Sequence, residues 1–580
     1  MKKGFTLIEM IGVMVILSLL MAFAMPSIIN YIKKGGDTKD KVVIEMIYDA
    51  AKNYVSDNKN MFKKDENNTY CISLYTLASE GYIESPMTLS SSDDDITSES
   101  STKTVKVTYD KKYKYELTDE CTGMVNPTPI LPKGFIPVYY NETNENWIVA
   151  DPKTDDWYNY DEQRWANAVV LKQGVTKKVG DTVSVDGTEV LMMYVWVPKF
   201  EYNYKNLETE LTEEEKLTPP IIDVNFIASE ATTPSSSDYI IHPAFTFGTE
   251  KKSGIWVGKF ELSHTTKSLG TGSSTSDYNA ANLNCTTDMC TEAQYLRILP
   301  NVPSLRYNNV SNYWYAIKSI ENTSLFGLSN IDIHMMKNSE WGAVAYLSQS
   351  KYGKYGNNNY EEDQKEVYIN NSSGYYTGRS GGNVSGKTPI NETYTTESLT
   401  DEYNTFGYYT YDGYLLNYGT NTKSTTKDIN KGTGASTTGN IYGIYDMSGC
   451  SSEYVMGVYG NYHTIYSGNS VSSNSGFTGR IGNDNSSVEG TDLPNDKYYN
   501  KYKTSTSNTA CGDDEVCHGH ALSETSAWYE DNVEMIYEEE PWFVRGGSSV
   551  SLKIAGIFNF GNISGAGRKV SSTRVVVFVK

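Results

Sequence analysis

Charged residues are absent from Met10 to Ile32, a run of 23 positions. As a helix that run reaches about 34 Å, enough to cross a bilayer. Lys2, Lys3, Gly4 and a single carboxylate, Glu9, precede it. Past Gly35-Gly36 the apolar positions Val43, Ile44, Met46, Ile47, Ala50, Ala51 and Tyr54 recur at helical spacing, which predicts a helix packed on a small head. Between Cys71 and Cys121, Leu74, Leu77 and Gly81-Tyr82-Ile83 read as a short helix. A polar run from Ser90 to Thr102 reads as a loop, and Val105, Val107, Tyr109, Tyr113 and Tyr115 as a β-hairpin. Pro127, Pro129 and Pro132 form a stiff spacer. Trp147, Trp157 and Trp165 follow in a polar stretch, where they either stack on sugar rings from an exposed face or make the only core of a small β module. These breaks divide the chain into a leader (1–4), an apolar helix (5–58), a head (59–125), a linker (126–135), a Trp-rich β module (136–185) and a large region (186–580). The class is α+β: a long N-terminal helix with a small α/β head, then a large domain with little regular secondary structure.

The whole chain has 580 residues and a formal charge of −21. An acidic balance excludes nucleic acid as a partner, because phosphate binding needs a basic face. Tyrosine is abundant, 47 residues against 16 phenylalanines, and sits among Gly, Asn, Ser and Thr. That mixture suits loop-rich β structure or an adaptable contact surface. Seven cysteines occur. Cys71 with Cys121, Cys285 with Cys290 and Cys511 with Cys517 have the spacing of disulfides in an exported protein, and Cys450 is left over. Cys511, Cys517, His518 and His520 are the competing metal set, but their spacing fits no zinc pattern and a short disulfide loop is preferred.

The segment Lys3-Gly4-Phe5-Thr6-Leu7-Ile8-Glu9 resembles the class III signal of type IV prepilins and of type II secretion pseudopilins. The resemblance implies that a prepilin peptidase cuts after Gly4 on the cytoplasmic face and N-methylates Phe5. It also implies that Glu9 pairs with the terminal amine of a neighbouring subunit, which offsets the cost of a carboxylate in hydrocarbon. Lys2 and Lys3 stay inside and the remainder goes outside. The expected partners are thus the peptidase, other pilin subunits and the cytoplasmic membrane. The expected route runs from a single-pass precursor to the cell surface or an extracellular filament.

Further on, Val195-Trp196-Val197-Pro198, Gly254 to Leu262, Asn338 to Ala345, Asn440 to Gly449, Arg545-Gly546-Gly547-Ser548 and Thr573 to Val577 resemble, in order, segments of the formylglycine-generating enzymes and their sulfatase-modifying relatives. The resemblance implies a variant of the C-type lectin fold over residues 186–580. The enzymatic relatives hold copper through two thiolates soon after the Arg-Gly-Gly-Ser phrase. Here Ser549 to Gly556 contains no cysteine, and serine cannot supply that soft ligand. The expectation is therefore a non-catalytic, lectin-like module for adhesion or ligand capture. A purely structural filament-priming or capping pilin and an extracellular modifying enzyme are the alternatives. No cofactor is expected, although such folds often hold calcium through Asp, Asn and backbone oxygens. Residues 557–565 mix aromatics with Asn and Gly, which makes Phe558, Asn559, Phe560, Asn562 and Ser564, with Trp528 and Trp542, the candidate surface for a glycan or protein ligand.

Overall fold

The computed structural model describes residues 39–57, 62, 69–121 and 128–381 apart from short breaks, and then 408–460 and 475–580, where the longest break is 503–516. Two compact units divide at Asn126/Pro127.

In the first unit a helix over 39–57 (α1) packs on a three-stranded antiparallel sheet. The strands are β1 (Thr69–Ser73), β2 (Thr104–Asp110) and β3 (Lys112–Thr118), and the short α2 (Leu74–Ser79) follows β1. Ile47, Ala50, Ala51, Tyr54 and Val55 put one stripe of α1 against Ile72, Leu74, Leu77, Val105 and Val107, all buried. The hairpin turns at Lys111, whose φ is +59°. Lys112, Lys114 and Glu116 of β3 face solvent while Tyr113 and Tyr115 lean on the core, the two-sided pattern of an outer antiparallel strand. A Cys71–Cys121 disulfide ties the end of the unit to β1.

The second unit, Pro127–Lys580, is built on two larger sheets, with smaller two- and three-stranded ones and few helices. The larger has eight strands, all antiparallel to their neighbours. They are β4 (Phe135–Asn141), β5 (Asn146–Val149), β6 (Asn167–Leu171), β7 (Thr182–Val183), β8 (Val190–Pro198), β9 (Gly254–Gly258), β10 (Ile331–Met335) and β16 (Val575–Val579), in the order β10-β16-β9-β8-β6-β4-β5-β7. All nine residues of β8 are buried, so the strand is an unbroken apolar run rather than an alternation. Trp196 and Trp256 pair across β8 and β9, and a Cβ on Gly254 would come within 2.4 Å of the Trp196 ring. The second sheet joins β12 (Asn500–Tyr502), β11 (Ser452–Tyr459), β13 (Trp542–Arg545) and β14 (Phe560–Ile563), with β15 (Ser571–Thr573) also on β11. Two helices, α3 (Val310–Lys318) and α4 (Asn338–Ser348), complete the parts named below.

One expectation needs correction. The Trp-rich segment 136–185 is no separate module, because β4 to β7 are half of the large sheet and β6 pairs with β8 across its expected boundary. Its tryptophans are interior: Trp147, Trp157 and Trp165 are at most 2 % exposed. Their indole N–H groups donate to the Tyr411 hydroxyl, the Asn167 carbonyl and the Tyr352 carbonyl at 3.0, 2.8 and 2.7 Å. Every residue of α4 is buried. Gly342 lets it approach the chain at Gly519, whose carbonyl oxygen would lie 1.9 Å from a Cβ there.

Candidate functional sites

Residues from 254–262, 440–449 and 573–577 meet in a buried ionic centre. β9 runs into Lys259 and Glu261, both fully buried. Lys259 Nζ donates to Asn167 Oδ1, the Ile441 carbonyl and the Gly443 carbonyl at 2.7–2.8 Å, between the rings of Trp147 and Tyr445. Arg574, between β15 and β16, grips the Glu453 carboxylate through Nε at 2.9 Å and through Nη2. Its Nη1 and Nη2 also donate to the carbonyls of Gly258 and Tyr445. Asp446, at φ +65°, accepts from Asn370 Nδ2 and the Gly378 N–H at 2.8 and 2.9 Å, and Glu261 accepts from the Ser451 N–H. Three carboxylates thus share one guanidinium without solvent. Burial pushes Asp446 up to about 6 and Glu453 up to about 7 in spite of Arg574, and burial with two like charges also raises Glu261. With both oxygens of Glu453 and three guanidinium nitrogens engaged by internal partners, this centre ties four segments together.

A second buried cluster had no sequence reading. His334 of β10 is fully buried, with Nδ1 3.1 Å from Asp332 Oδ1 and Nε2 3.2 Å from Glu340 Oε1. Its ring lies between Phe247 and Phe578, at 5.2 and 5.4 Å. Burial opposes its charge, but the two carboxylates prevail and raise its pKa above the usual value. They are themselves held low, Asp332 by the His334 hydrogen bond and charge and Glu340 by the charges of Lys337 and His334, each against burial. The only signal for this cluster was the Asp332-x-His334 alternation on a strand followed by Glu340 in the first turn of a helix.

The candidate contact surface near the C-terminus is turned inward. Trp528, Trp542, Phe558 and Phe560 are 3, 0, 0 and 0 % exposed. Phe558 packs against Trp528 and Tyr529, and Phe560 against Phe543. Asn559 Nδ2 donates to the Ile554 carbonyl and Asn562 Nδ2 to that of Met535, both at hydrogen-bond distance. Ser564 is half-buried. The aromatics looked exposed because their neighbours are polar, but Phe558 packs on Trp528 and Phe560 on Phe543, partners in other segments beyond any local pattern.

Cys285–Cys290 forms a disulfide, as does Cys71–Cys121 in the first unit. Cys450 is a buried free thiol. Cys511 lies outside the described residues, and Cys517 is disulfide-bonded, so its sulfur is no thiolate ligand. His518 Nδ1 lies 2.8 Å from Glu524, and His520 Nδ1 lies 2.6 Å from the Tyr502 hydroxyl. Burial and the charges of Lys337 and Arg545 push His520 down to about 3. Among the described residues no cluster of His, Cys, Asp and Glu could hold a metal ion.

Gly4, Phe5 and Glu9 lie outside the described residues, as does the charge-free run; among those described, no helix is long and apolar enough to cross a membrane. Residues 1–25 match the model of the prokaryotic N-terminal methylation motif. That match supports a type IV pilin signal region at the start of the chain. With it come a type IV pilin-like or pseudopilin protein, processing by a prepilin peptidase and assembly with other pilin subunits in general. A membrane-anchored precursor that reaches a surface filament follows from the same signal. No curated protein matches the chain.

Proposed function

We propose that this chain is a minor pilin or pseudopilin whose second unit is a non-catalytic, lectin-like display domain for adhesion or ligand capture. One observation carries the reading: a prepilin-type motif over residues 1–25 stands ahead of a 454-residue unit, Pro127–Lys580, far larger than the helix-and-hairpin head. A filament core needs only the helix and a small head, so the rest is cargo for the outside. The absence of cysteine from Ser549 to Gly556 supports a non-catalytic role, as does the engagement of Arg574, Glu453 and Lys259 by internal partners. Maturation is the first test. N-terminal mass spectrometry should find Phe5 as an N-methylated first residue, and a protein starting at Met1 would sink the pilin reading. Display is the second. Immunogold labelling of intact cells should mark filaments or their tips with antibody to residues 127–580, and deletion should abolish attachment of cells to a ligand-bearing surface. Unchanged attachment after deletion would refute the adhesive role.

A further inference from the structure

The two ends of the head differ. At its near end, where α1 takes over from the N-terminal segment, Ser90 donates through its backbone N–H and its hydroxyl to Asp40 in the first turn of α1, at 2.7 and 2.5 Å. The far end is the turn between β2 and β3. The Leu117 N–H donates to the Tyr48 hydroxyl beside the middle of α1, and the Tyr113 hydroxyl donates to the carbonyl of Phe62, past the end of the helix. Strand β3 therefore runs against the direction of α1. Lys111 and Lys112 stand at the end of the head away from the N-terminal segment.

Two observations single out that turn. Asp110 pairs with Lys114, which leaves the ammonium groups of Lys111 and Lys112 exposed and unpaired among the described residues. The same face of the hairpin carries Lys106, half-buried opposite Glu116. Lys111 also adopts a φ of +59°. Glycine or asparagine takes that left-handed conformation at little cost, whereas lysine is strained in it. Such strain persists where the position is put to use. Protection of an edge strand asks for a lysine somewhere along it, not at the turn residue that penalises one.

The whole chain carries −21, so contact with other acidic subunits starts from repulsion. Unpaired ammonium groups are the points at which such a chain meets a carboxylate surface. Anionic lipid is excluded by place, because the tip lies away from the end that enters the membrane. A second copy is the poorer neighbour, since each copy adds another −21 and another second unit of 454 residues. We propose that the Lys111–Lys112 tip docks on carboxylates of a neighbouring pilin subunit of another kind, which packs beyond this protein in the filament. The proposal rests on the pilin reading above and names a surface through which that assembly is made.

The test uses the full chain in its own cells. Sheared filaments are treated with a carbodiimide, which joins an ammonium to a carboxylate in ion-pair contact, and cross-linked peptides are mapped by mass spectrometry. Lys111 or Lys112 should be joined to an Asp or Glu of a different pilin. Lys111→Gly should slow hydrogen exchange over 104–118, because it relieves the turn, and yet lower filament incorporation by about threefold. Lys111→Glu with Lys112→Glu should lower incorporation by about tenfold while processing at the membrane is unchanged. A turn residue without a partner predicts the gain in protection and no loss of assembly. Normal incorporation of both variants overturns the proposal. So do cross-links to other pilins that all avoid 111 and 112, or cross-links from these lysines to a second copy. If the reversed variant misfolds, Lys111→Gly decides by itself. Wild-type protein missing from sheared filaments would sink the pilin reading and this contact with it, whereas wild type present beside unaffected variants sinks the contact and leaves that reading standing.

Discussion

The His334 cluster offers the sharpest energetic test. Replacing His334 by Phe keeps a ring between Phe247 and Phe578 but deletes the groups that face Asp332 and Glu340 at 3.1 and 3.2 Å. Deleting one partner of a fully buried charged set costs about 3–5 kcal/mol. The remaining partners place this case at the lower end. Asp332 keeps the Tyr498 hydroxyl at 2.6 Å and Lys318 at 3.3 Å, and Glu340 keeps the Lys337 N–H at 2.8 Å and Nζ at 3.4 Å. We expect a loss of about 3 kcal/mol. The pH dependence identifies the cause. The raised pKa of His334 means its contribution is whole below its unfolded value of 6.5 and is lost as pH rises through the folded value. The lowered pKa values of Asp332 and Glu340 mean theirs is present above 3.8 and 4.5 and is lost as pH falls. The difference between wild type and His334→Phe should therefore be largest between pH 4.5 and 6.5 and shrink on either side. Urea unfolding followed by tryptophan fluorescence reads the second unit alone, because all nine tryptophans follow Asn126. A difference that stays flat from well below pH 4.5 to well above pH 6.5, or a loss under about 1 kcal/mol, would refute the ion-triad reasoning.

Three other outcomes are expected. Gly342→Ala should destabilise the second unit by about 1–3 kcal/mol, measured by the same unfolding, since its Cβ would meet the Gly519 carbonyl at 1.9 Å and that neighbour is backbone. Arg574→Met should cost about 3–5 kcal/mol near neutral pH by leaving Glu453 and two carbonyls without their donor. Its cost should ease below pH 6, where Asp446 and Glu453 take up protons: raised carboxyls contribute stability below their unfolded values of 3.8 and 4.5 and lose it as pH rises through about 6 and 7. Glu9→Gln should yield a membrane-embedded protein that stays out of filaments, scored by shear fractionation, and normal incorporation would contradict the pairing of Glu9 with another subunit's amine.

What the sequence made legible was local. The stripe of Ile47, Ala50, Ala51 and Tyr54 and the alternation at Val105, Val107, Tyr113 and Tyr115 are contained within single elements, and both hold in the structure of the head. The β6–β8 pairing was not legible, because Asn167 meets Val195 across a loop and a turn, and polar residues flank the tryptophans on the near side. The same limit hid the fate of Phe558 and Phe560. Asn and Gly beside an aromatic describe a contact loop and a strand over a distant Trp528 equally well. His334 and Lys318 were illegible for another reason: His334 is defined by carboxylates of a strand and a helix and Lys318 by oxygens from three segments, and spacing in one segment cannot reveal them.

The inward turn of the family-like phrases bears on where function sits. Gly258, Tyr445 and Arg574 belong to three of the segments that carry the resemblance and Glu453 borders on one of them, and the Arg574 guanidinium binds the other three residues. Such a hub fixes strand ends to about a hydrogen-bond length, which is what a scaffold requires of residues that contact no ligand. The same economy holds for Lys259, whose three donors meet three acceptors and leave no hydrogen for a substrate. Residues at these positions therefore resist change for reasons of folding alone, whatever the domain binds. Recognition has to come from side chains that the scaffold positions but does not consume.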